Sequence, residues 1–319
     1  MNRQTRTLVV RDASILPALR SPVVATLGNL DGVHRGHQAL LERINSVRGA
    51  GSSVVISFYP HPGAVLGKMP QVPLLTTLRQ RVDILGGYGV DLFFLIHFTR
   101  AFSKIRAGDF IDRYLIDLLD IEHLVIGPDA HVGFEREGTP EFIERHLAAR
   151  GRQVTVLPFV DSGSERISSK RIRAVVAEGD VAGAAELLGR LYRVSGFVER
   201  GDQRGRLIGF RTANVALGKY AVPAFGVYAT WVTLQGRRYP AVTNIGVRPT
   251  FGGVRPTIES HLIGYSGEEF YGEAVGVEFV SRLRPEMKFP SVVELTDQIR
   301  HDVGVAQKVL GSPVSDSSS

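Results

Sequence analysis

The chain has 319 residues, 44% of them hydrophobic and 22% charged, proportions that exclude a wholly disordered or fibrous protein and suit two domains better than one. Its 38 Lys and Arg against 32 Asp and Glu leave a formal charge of +6, which favours anionic ligands such as nucleotides. The absence of cysteine excludes disulfides, thiolate metal sites and a cysteine nucleophile. The N-terminal stretch has no continuous apolar core leading to a small-residue cleavage site. The most apolar run, Val90 to Phe98, is short and holds Asp91 and His97. A soluble cytoplasmic protein is therefore expected.

Up to about residue 184, short β-rich runs alternate with helical segments. Val23 to Leu27 reads as a buried strand, Gln38 to Arg48 as a helix, Val54 to Phe58 as a strand and Leu78 to Leu85 as a helix. Leu92 to Phe98 follows as a strand, Phe110 to Leu119 as a helix and Leu124 to Ile126 as a fourth strand. Such alternation predicts a parallel sheet covered on both faces, with ligands beyond the carboxyl ends of its strands. Two short helices, Arg171 to Ala177 and Val181 to Leu188, are separated by Glu178-Gly179-Asp180, where Gly stops one and Asp caps the next. From Tyr192 to about Phe279 the runs are short, β-branched or aromatic, and broken by Gly or Pro, which predicts an antiparallel barrel or sandwich. A closing helix is expected over Val292 to Val303. The boundaries read as 1–188, 189–305 and a disordered tail, 306–319.

The densest chemical signal follows the first strand: Gly28-Asn29-Leu30-Asp31-Gly32-Val33-His34-Arg35-Gly36-His37. Glycines let backbone approach a ligand, and the start of the next helix offers unpaired N–H groups and the positive end of its dipole to phosphate. His34 and His37, three residues apart, share a face and can stabilise charge on a phosphate in flight. Read alone, the segment is also compatible with a glycine turn carrying two capping or surface histidines, the less favoured alternative. Zinc is disfavoured because no third ligand is evident.

This segment resembles the G-x-F-D-G-V-H-x-G-H signature of the bacterial bifunctional riboflavin kinase/FMN adenylyltransferases. Four further segments keep that family's order: Phe58-Tyr59-Pro60-His61-Pro62, Ile167-Ser168-Ser169-Lys170-Arg171-Ile172-Arg173, Gly209-Phe210-Arg211-Thr212-Ala213-Asn214 and Asn244-Ile245-Gly246-Val247-Arg248-Pro249-Thr250-Phe251. The resemblance implies an α/β plus all-β chain, with an N-terminal Rossmann-like nucleotidyltransferase domain and a C-terminal antiparallel six-stranded β-barrel of riboflavin kinase type. It implies phosphorylation of riboflavin to FMN and adenylylation of FMN to FAD, with ATP as co-substrate and Mg²⁺ as cofactor.

Carried onto this sequence, the resemblance makes Gly28, Asp31, His34, Gly36, His37, Ser168, Ser169 and Arg171 the adenylyl-transfer set. Arg204, in Gly201-Asp202-Gln203-Arg204-Gly205-Arg206, becomes a further phosphate contact. Thr212 and Asn214 become the Mg²⁺ ligands and Glu259 the base for the 5′-hydroxyl of riboflavin. Asn244, Gly246, Thr250 and Arg284 become flavin contacts. The residue types suit these roles: Thr and Asn offer hard oxygens, and Thr212 and Asn214, two apart, point to one face if extended. Glu259 alternates with apolar Ile258 and Leu262. Arg284 is explained as cheaply by a surface salt bridge with Glu286.

Departures from the family pattern are Leu30 for Phe, Ala130 and His131 for an aromatic and an arginine, Lys170 for Thr, and Leu191 and Arg211 for prolines. They motivate a second reading, a flavin- or nucleotide-binding regulator that has lost one or both activities. No arginine-rich helix or aromatic-interleaved basic stripe appears, so neither a nucleic acid nor a membrane is expected as partner. The oligomeric state is left open.

Overall fold

The computed structural model describes residues 7–67, 72–199, 212–216, 218–250, 253–267 and 270–311. Among side chains in those ranges, those of 248–250 and 253–255 are not described. Two compact units emerge, one from residues 1–72 with 76–169 and one from 73–75 with 170–319.

The first unit is a six-stranded parallel sheet built from β1 (Leu8–Val10), β2 (Val23–Leu27), β3 (Ser52–Tyr59), β4 (Leu92–His97), β5 (His123–Ile126) and β6 (Gln153–Val156) in the order β1-β4-β3-β2-β5-β6. The four expected strands are present; the two additional ones are the short edges. Helices α1 (Arg35–Val47), α2 (Pro62–Val65), α3 (Leu78–Gly87), α4 (Ala107–Phe110) and α5 (Pro140–Ala148) connect the strands, and α4 runs on as π-helical turns over Ile111–Leu118. Strand alternation splits the core in two. Val24, Val55, Phe93 and Leu95 pack with Leu41 and Ile44 of α1 and Leu85 of α3. Ala25, Val54, Ile56, Phe94 and Leu124 pack on the other face with Phe110, Leu115, Ile143 and Leu147. Burial on both faces explains why these strands read as unbroken apolar runs. The order reverses between β2 and β5, so the switch point lies where Gly28 and Gly127 leave the sheet. A small hairpin, β7 (Asp161–Ser162) with β8 (Glu165–Arg166), follows β6.

The second unit opens with α6 (Ser169–Glu178) and α7 (Val181–Leu188). Between them Gly179 adopts φ +84°, and Asp180 Oδ1 accepts from Gly183 N at 2.8 Å, as the sequence predicts for a stop followed by a cap. Helix α7 packs on barrel strands through a face containing Val181, Ala184, Leu187 and Leu188, so it groups with the second unit although the sequence reading placed it with the first. The strands β9 (Tyr192–Glu199), β10 (Thr212–Val215), β11 (Gly226–Leu234), β12 (Arg237–Thr250), β13 (Gly253–Leu262) and β14 (Ala274–Arg284) close a barrel in the order β10-β13-β12-β11-β14-β9. Every pairing around it is antiparallel, and β10 pairs with β9 to complete the ring. Of the two antiparallel forms expected, the barrel is the one adopted.

Helix α8 (Val292–Leu310) runs beyond the expected end at Val303, so residues 306–310 belong to it and not to a disordered tail. Val303, fully buried Ala306 and Leu310 recur at helical spacing against Val227, Ala229 and Val242 on the outside of the barrel, which carries the helix past its expected stop.

Candidate functional site

The turn after β2 takes a conformation that ordinary residues adopt only under constraint. Val33 N donates to Leu30 O at 3.1 Å, while φ is +48° at Leu30, +85° at Gly32 and +38° at Val33. His34 then caps α1, and the His34 and His37 rings stack with centroids 3.6 Å apart and planes 19° from parallel. The shared face expected from their spacing is thus a stacked pair at a helix N-terminus. His34 is only 6% exposed. Gly36 lets this packing form, because a Cβ there would come within 3.2 Å of the His34 ring. At Gly28 a Cβ would meet Leu30 at 3.0 Å.

The sequence-distant serine segment reaches the same turn: Ser169 Oγ donates to the backbone carbonyl of Asp31 at 2.8 Å. Ser168 precedes it, half-buried. Arg171 lies two residues into α6 and falls in the second compact unit. Asp31, expected to meet nucleotide, is 2% exposed and turned inward, where its Oδ1 accepts from Thr76 N and Thr76 Oγ1, both at 3.0 Å. Sequence reasoning missed Thr76 and Arg81. The signal for Arg81 was an arginine on the apolar stripe of α3, in line with Leu78 and Leu85.

Beyond β5, Asp129 pairs with Arg166 of the hairpin at 3.3 Å, and Arg136 Nη2 lies 3.0 Å from His131 Nδ1. Arg166 also sits over the exposed ring of Phe159, 4.4 Å from its centroid. The arginine lost at position 131 relative to the family pattern therefore has another guanidinium beside it.

In the barrel, strand register assembles a polar row. Glu259 of β13 lies opposite Asn214 of β10 on one side and opposite Asn244 of β12 on the other. Directly opposed residues bring their Cβ atoms to about 5 Å. Their neighbours along the strands, Ala213, Ile258, Ser260, Thr243 and Ile245, are fully buried inside. The row consequently faces outward, not into the barrel's packed interior. Thr212, two residues before Asn214, shares its face and pairs with His261. Glu199, which sequence reasoning passed over, extends the row beyond Asn214. Only strand register reveals it.

The register continues from Asn244 to Val227 and on to Arg284. Arg284 forms a forked pair with Asp302 of α8, Nε to Oδ2 at 3.0 Å and Nη2 to Oδ2 at 2.8 Å, and not the surface bridge to Glu286 that the sequence allowed. Asp302 is 3% exposed and also accepts from Gln298 Nε2 at 2.9 Å. Glu286 instead lies against Gly246, where a Cβ would collide with its Oε1. Thr250 closes β12, but its side chain, like Arg204 and Arg211, lies outside the described residues.

The donor set fits a hard divalent cation: Thr212, Asn214 and Glu259 offer neutral and anionic oxygens on one face of adjacent strands. Among the described residues no cluster of three or more His, Cys, Asp or Glu is arranged for a metal, and no helix is long and apolar enough to cross a membrane.

A parallel sheet with an imidazole pair on a glycine turn at its switch point, joined in one chain to a barrel with an acid–amide row, defines a two-part nucleotide-dependent transferase. The riboflavin kinase family matches residues 188–310, and the FAD synthetase family matches residues 16–171. The bifunctional riboflavin kinase/FMN adenylyltransferase of Pseudomonas fluorescens is 37% identical over 294 residues, covering 91% of this chain and 93% of that protein. Its counterpart from Bacillus subtilis (strain 168) is 37% identical over 287 residues, covering 88% and 90%. The chain belongs to the bifunctional riboflavin kinase/FMN adenylyltransferase family. A crystal structure from Streptococcus pneumoniae, described as a macrolide-efflux protein, superposes with a TM-score of 0.86 at 30% identity, covering 95% of this chain and 99% of that one. That name speaks of drug efflux, whereas the two family matches account for both sites described above.

Proposed function

We propose that this chain phosphorylates riboflavin to FMN on the barrel and adenylylates FMN to FAD on the parallel-sheet unit, using ATP for both steps. The observation that carries this reading is the co-occurrence of the stacked His34–His37 pair and the Asn214–Glu259–Asn244 row in one chain of this family.

In the kinase step the 5′-hydroxyl oxygen of riboflavin attacks the γ-phosphorus of ATP, the bond from that phosphorus to the β–γ bridging oxygen breaks, and ADP leaves. Glu259 takes the hydroxyl proton. In the strand register it stands between two amides, Asn214 and Asn244. Thr212 and Asn214 would hold Mg²⁺, which when bound gathers phosphate oxygens and offsets their charge. Asn244 and Gly246 form a wall for the flavin.

In the adenylylation step a phosphate oxygen of FMN attacks the α-phosphorus of ATP, the bond to the β-phosphate oxygen breaks, and pyrophosphate leaves. His34 and His37 donate hydrogen bonds toward the oxygens that gain charge, supported by the N-terminal N–H groups of α1. Ser168 adds a hydroxyl to the departing pyrophosphate, while Ser169 holds the backbone of the turn.

The test is incubation of purified protein with riboflavin, ATP and Mg²⁺ and chromatographic separation of flavins. FMN followed by FAD is expected. Flavin binding without either product would favour the regulator reading, and FMN alone would assign the loss to the parallel-sheet unit.

A further inference from the structure

We infer that Thr76 and Arg81 are positioning residues for adenylyl transfer, and that Asp31 works with them and not on the nucleotide; this rests on the adenylyltransferase reading of the His34–His37 site. The backbone between β2 and α1 is left-handed at Leu30, Gly32 and Val33, and two of these are not glycine. Such a turn persists only where its surroundings over-determine it.

The surroundings are a closed polar network. Thr76 Oγ1 donates to Asp31 Oδ1 at 3.0 Å and accepts from Gly32 N at 2.9 Å. Thr76 N reaches the same carboxylate oxygen at 3.0 Å. Arg81 Nη1 donates to Asn29 O at 2.8 Å, and Arg81 Nη2 lies 3.4 Å from Asp31 Oδ1. All three side chains are at least nine-tenths buried: Asp31 is 2% exposed, Thr76 4% and Arg81 6%. The network grips Asn29, Asp31 and Gly32, the residues immediately before the His34 cap.

Its own anchor is stiff. Thr77 and Gln80 form a reciprocal capping box at the start of α3, which fixes Thr76 just outside the helix and Arg81 one turn in. Strand β2 and helix α1 have separate apolar packing through Val24, Leu41 and Ile44. The charge pair is therefore spent on the turn between them. A buried carboxylate already neutralised by Arg81 is also poorly placed to meet a triphosphate, which it would repel.

The test uses the full chain with Arg81→Met, Arg81→Lys, Thr76→Val and Asp31→Asn. It measures kcat and KM for FAD formation from FMN, ATP affinity by titration calorimetry, and FMN formation from riboflavin. Arg81→Met and Thr76→Val are expected to lower kcat for adenylylation by about tenfold or more, with ATP affinity changed by less than about threefold. Riboflavin phosphorylation should not change, and Arg81→Lys should recover part of the lost kcat. Asp31→Asn should behave as Thr76→Val does. A thermal melting profile unchanged from that of the unmodified chain certifies that the unit is folded; should Arg81→Met lose it, Thr76→Val, nearly isosteric, decides. Loss of ATP affinity on Asp31→Asn with kcat preserved would overturn the inference by making Asp31 a ligand. Unchanged kcat in both Arg81→Met and Thr76→Val would overturn it too. Failure of the unmodified protein to make FAD would instead reject the underlying reading.

Discussion

Gly36→Ala separates stability from chemistry at the imidazole pair. Gly36 is the second residue of α1, and its φ is not left-handed, so alanine fits the backbone. Helix propensity favours alanine over glycine by about 1 kcal/mol in a helix interior and by roughly half that so near an end, worth one or two degrees in Tm. The new methyl, however, would stand 3.2 Å from Cε1 and Nδ1 of His34, whereas carbon contacts settle at about 3.5–4.0 Å. The ring must yield by a few tenths of an ångström. It is buried and already stacked on His37 at 3.6 Å, so it tilts and disturbs the pair. Displacements of this order in a catalytic donor cost about tenfold in rate, about 1.4 kcal/mol of transition-state stabilisation. The assay compares FAD formation from FMN, FMN formation from riboflavin and thermal melting in one preparation. FAD formation should fall about tenfold while FMN formation holds and Tm does not decrease. Undiminished FAD formation would refute the placement of His34 at the reacting phosphate.

Glu259→Gln keeps the shape of the polar row but removes the proton acceptor, so FMN formation should drop by two orders of magnitude or more, while adenylylation of supplied FMN continues; chromatography of both reactions checks this. Asp302→Ala leaves the Arg284 guanidinium half-stranded beneath α8, and because that side chain keeps 15% exposure the loss should be about 2 kcal/mol, below the 3–5 of a fully buried pair; chemical denaturation of the barrel unit reads it. Burial, with repulsion from Arg43 adding to it, holds the His123 imidazole below its usual value of 6.5. The unfolded chain then binds a proton that the folded chain refuses, so this contribution is complete above pH 6.5 and is lost as pH falls toward the lower folded value. His123→Gln should flatten that part of the slope in denaturation measured on either side of it, and an unchanged slope would count against it.

What could be read from the sequence follows from the range of the interactions involved. The central strands are visible because burial on both faces leaves unbroken apolar runs such as Leu92 to Ile96. Edge strands β1 and β6 are only three and four residues long and bury less, and β6 mixes polar with apolar residues, so neither stands out as a run. Helix α5 does carry a local signal, Thr139 as cap with Pro140 in the first turn. In the barrel, period-two alternation told which residues share a face. Which residues stand opposite one another is fixed by pairing between distant segments, so the Glu199–Asn214–Glu259–Asn244 row could be assembled only from the fold. The same holds for Asp31. Its place in a phosphate-binding motif suggested a ligand, and only the arrival of Thr76 and Arg81 from beyond β3 shows where the carboxylate points.

The departures from the family pattern sort by what they touch. Leu30, in place of an aromatic, is 1% exposed and packs with Val33, Leu41 and Leu85, so it fills core. Ala130 likewise lies against the apolar cluster on the opposite face of the sheet. At position 131 a histidine stands in place of a fixed cation, but Arg136 lies 3.0 Å from it, so a guanidinium stays beside that loop. Each of these three changes alters packing or relocates a charge, and none of the three removes a donor from the His34–His37 turn or from the Asn214–Glu259–Asn244 row. A chain drifting toward a passive binding role would be free to lose those groups first, since binding a flavin ring needs neither a paired imidazole at a phosphate nor a carboxylate held between two amides. Their retention in one polypeptide argues for turnover at both sites.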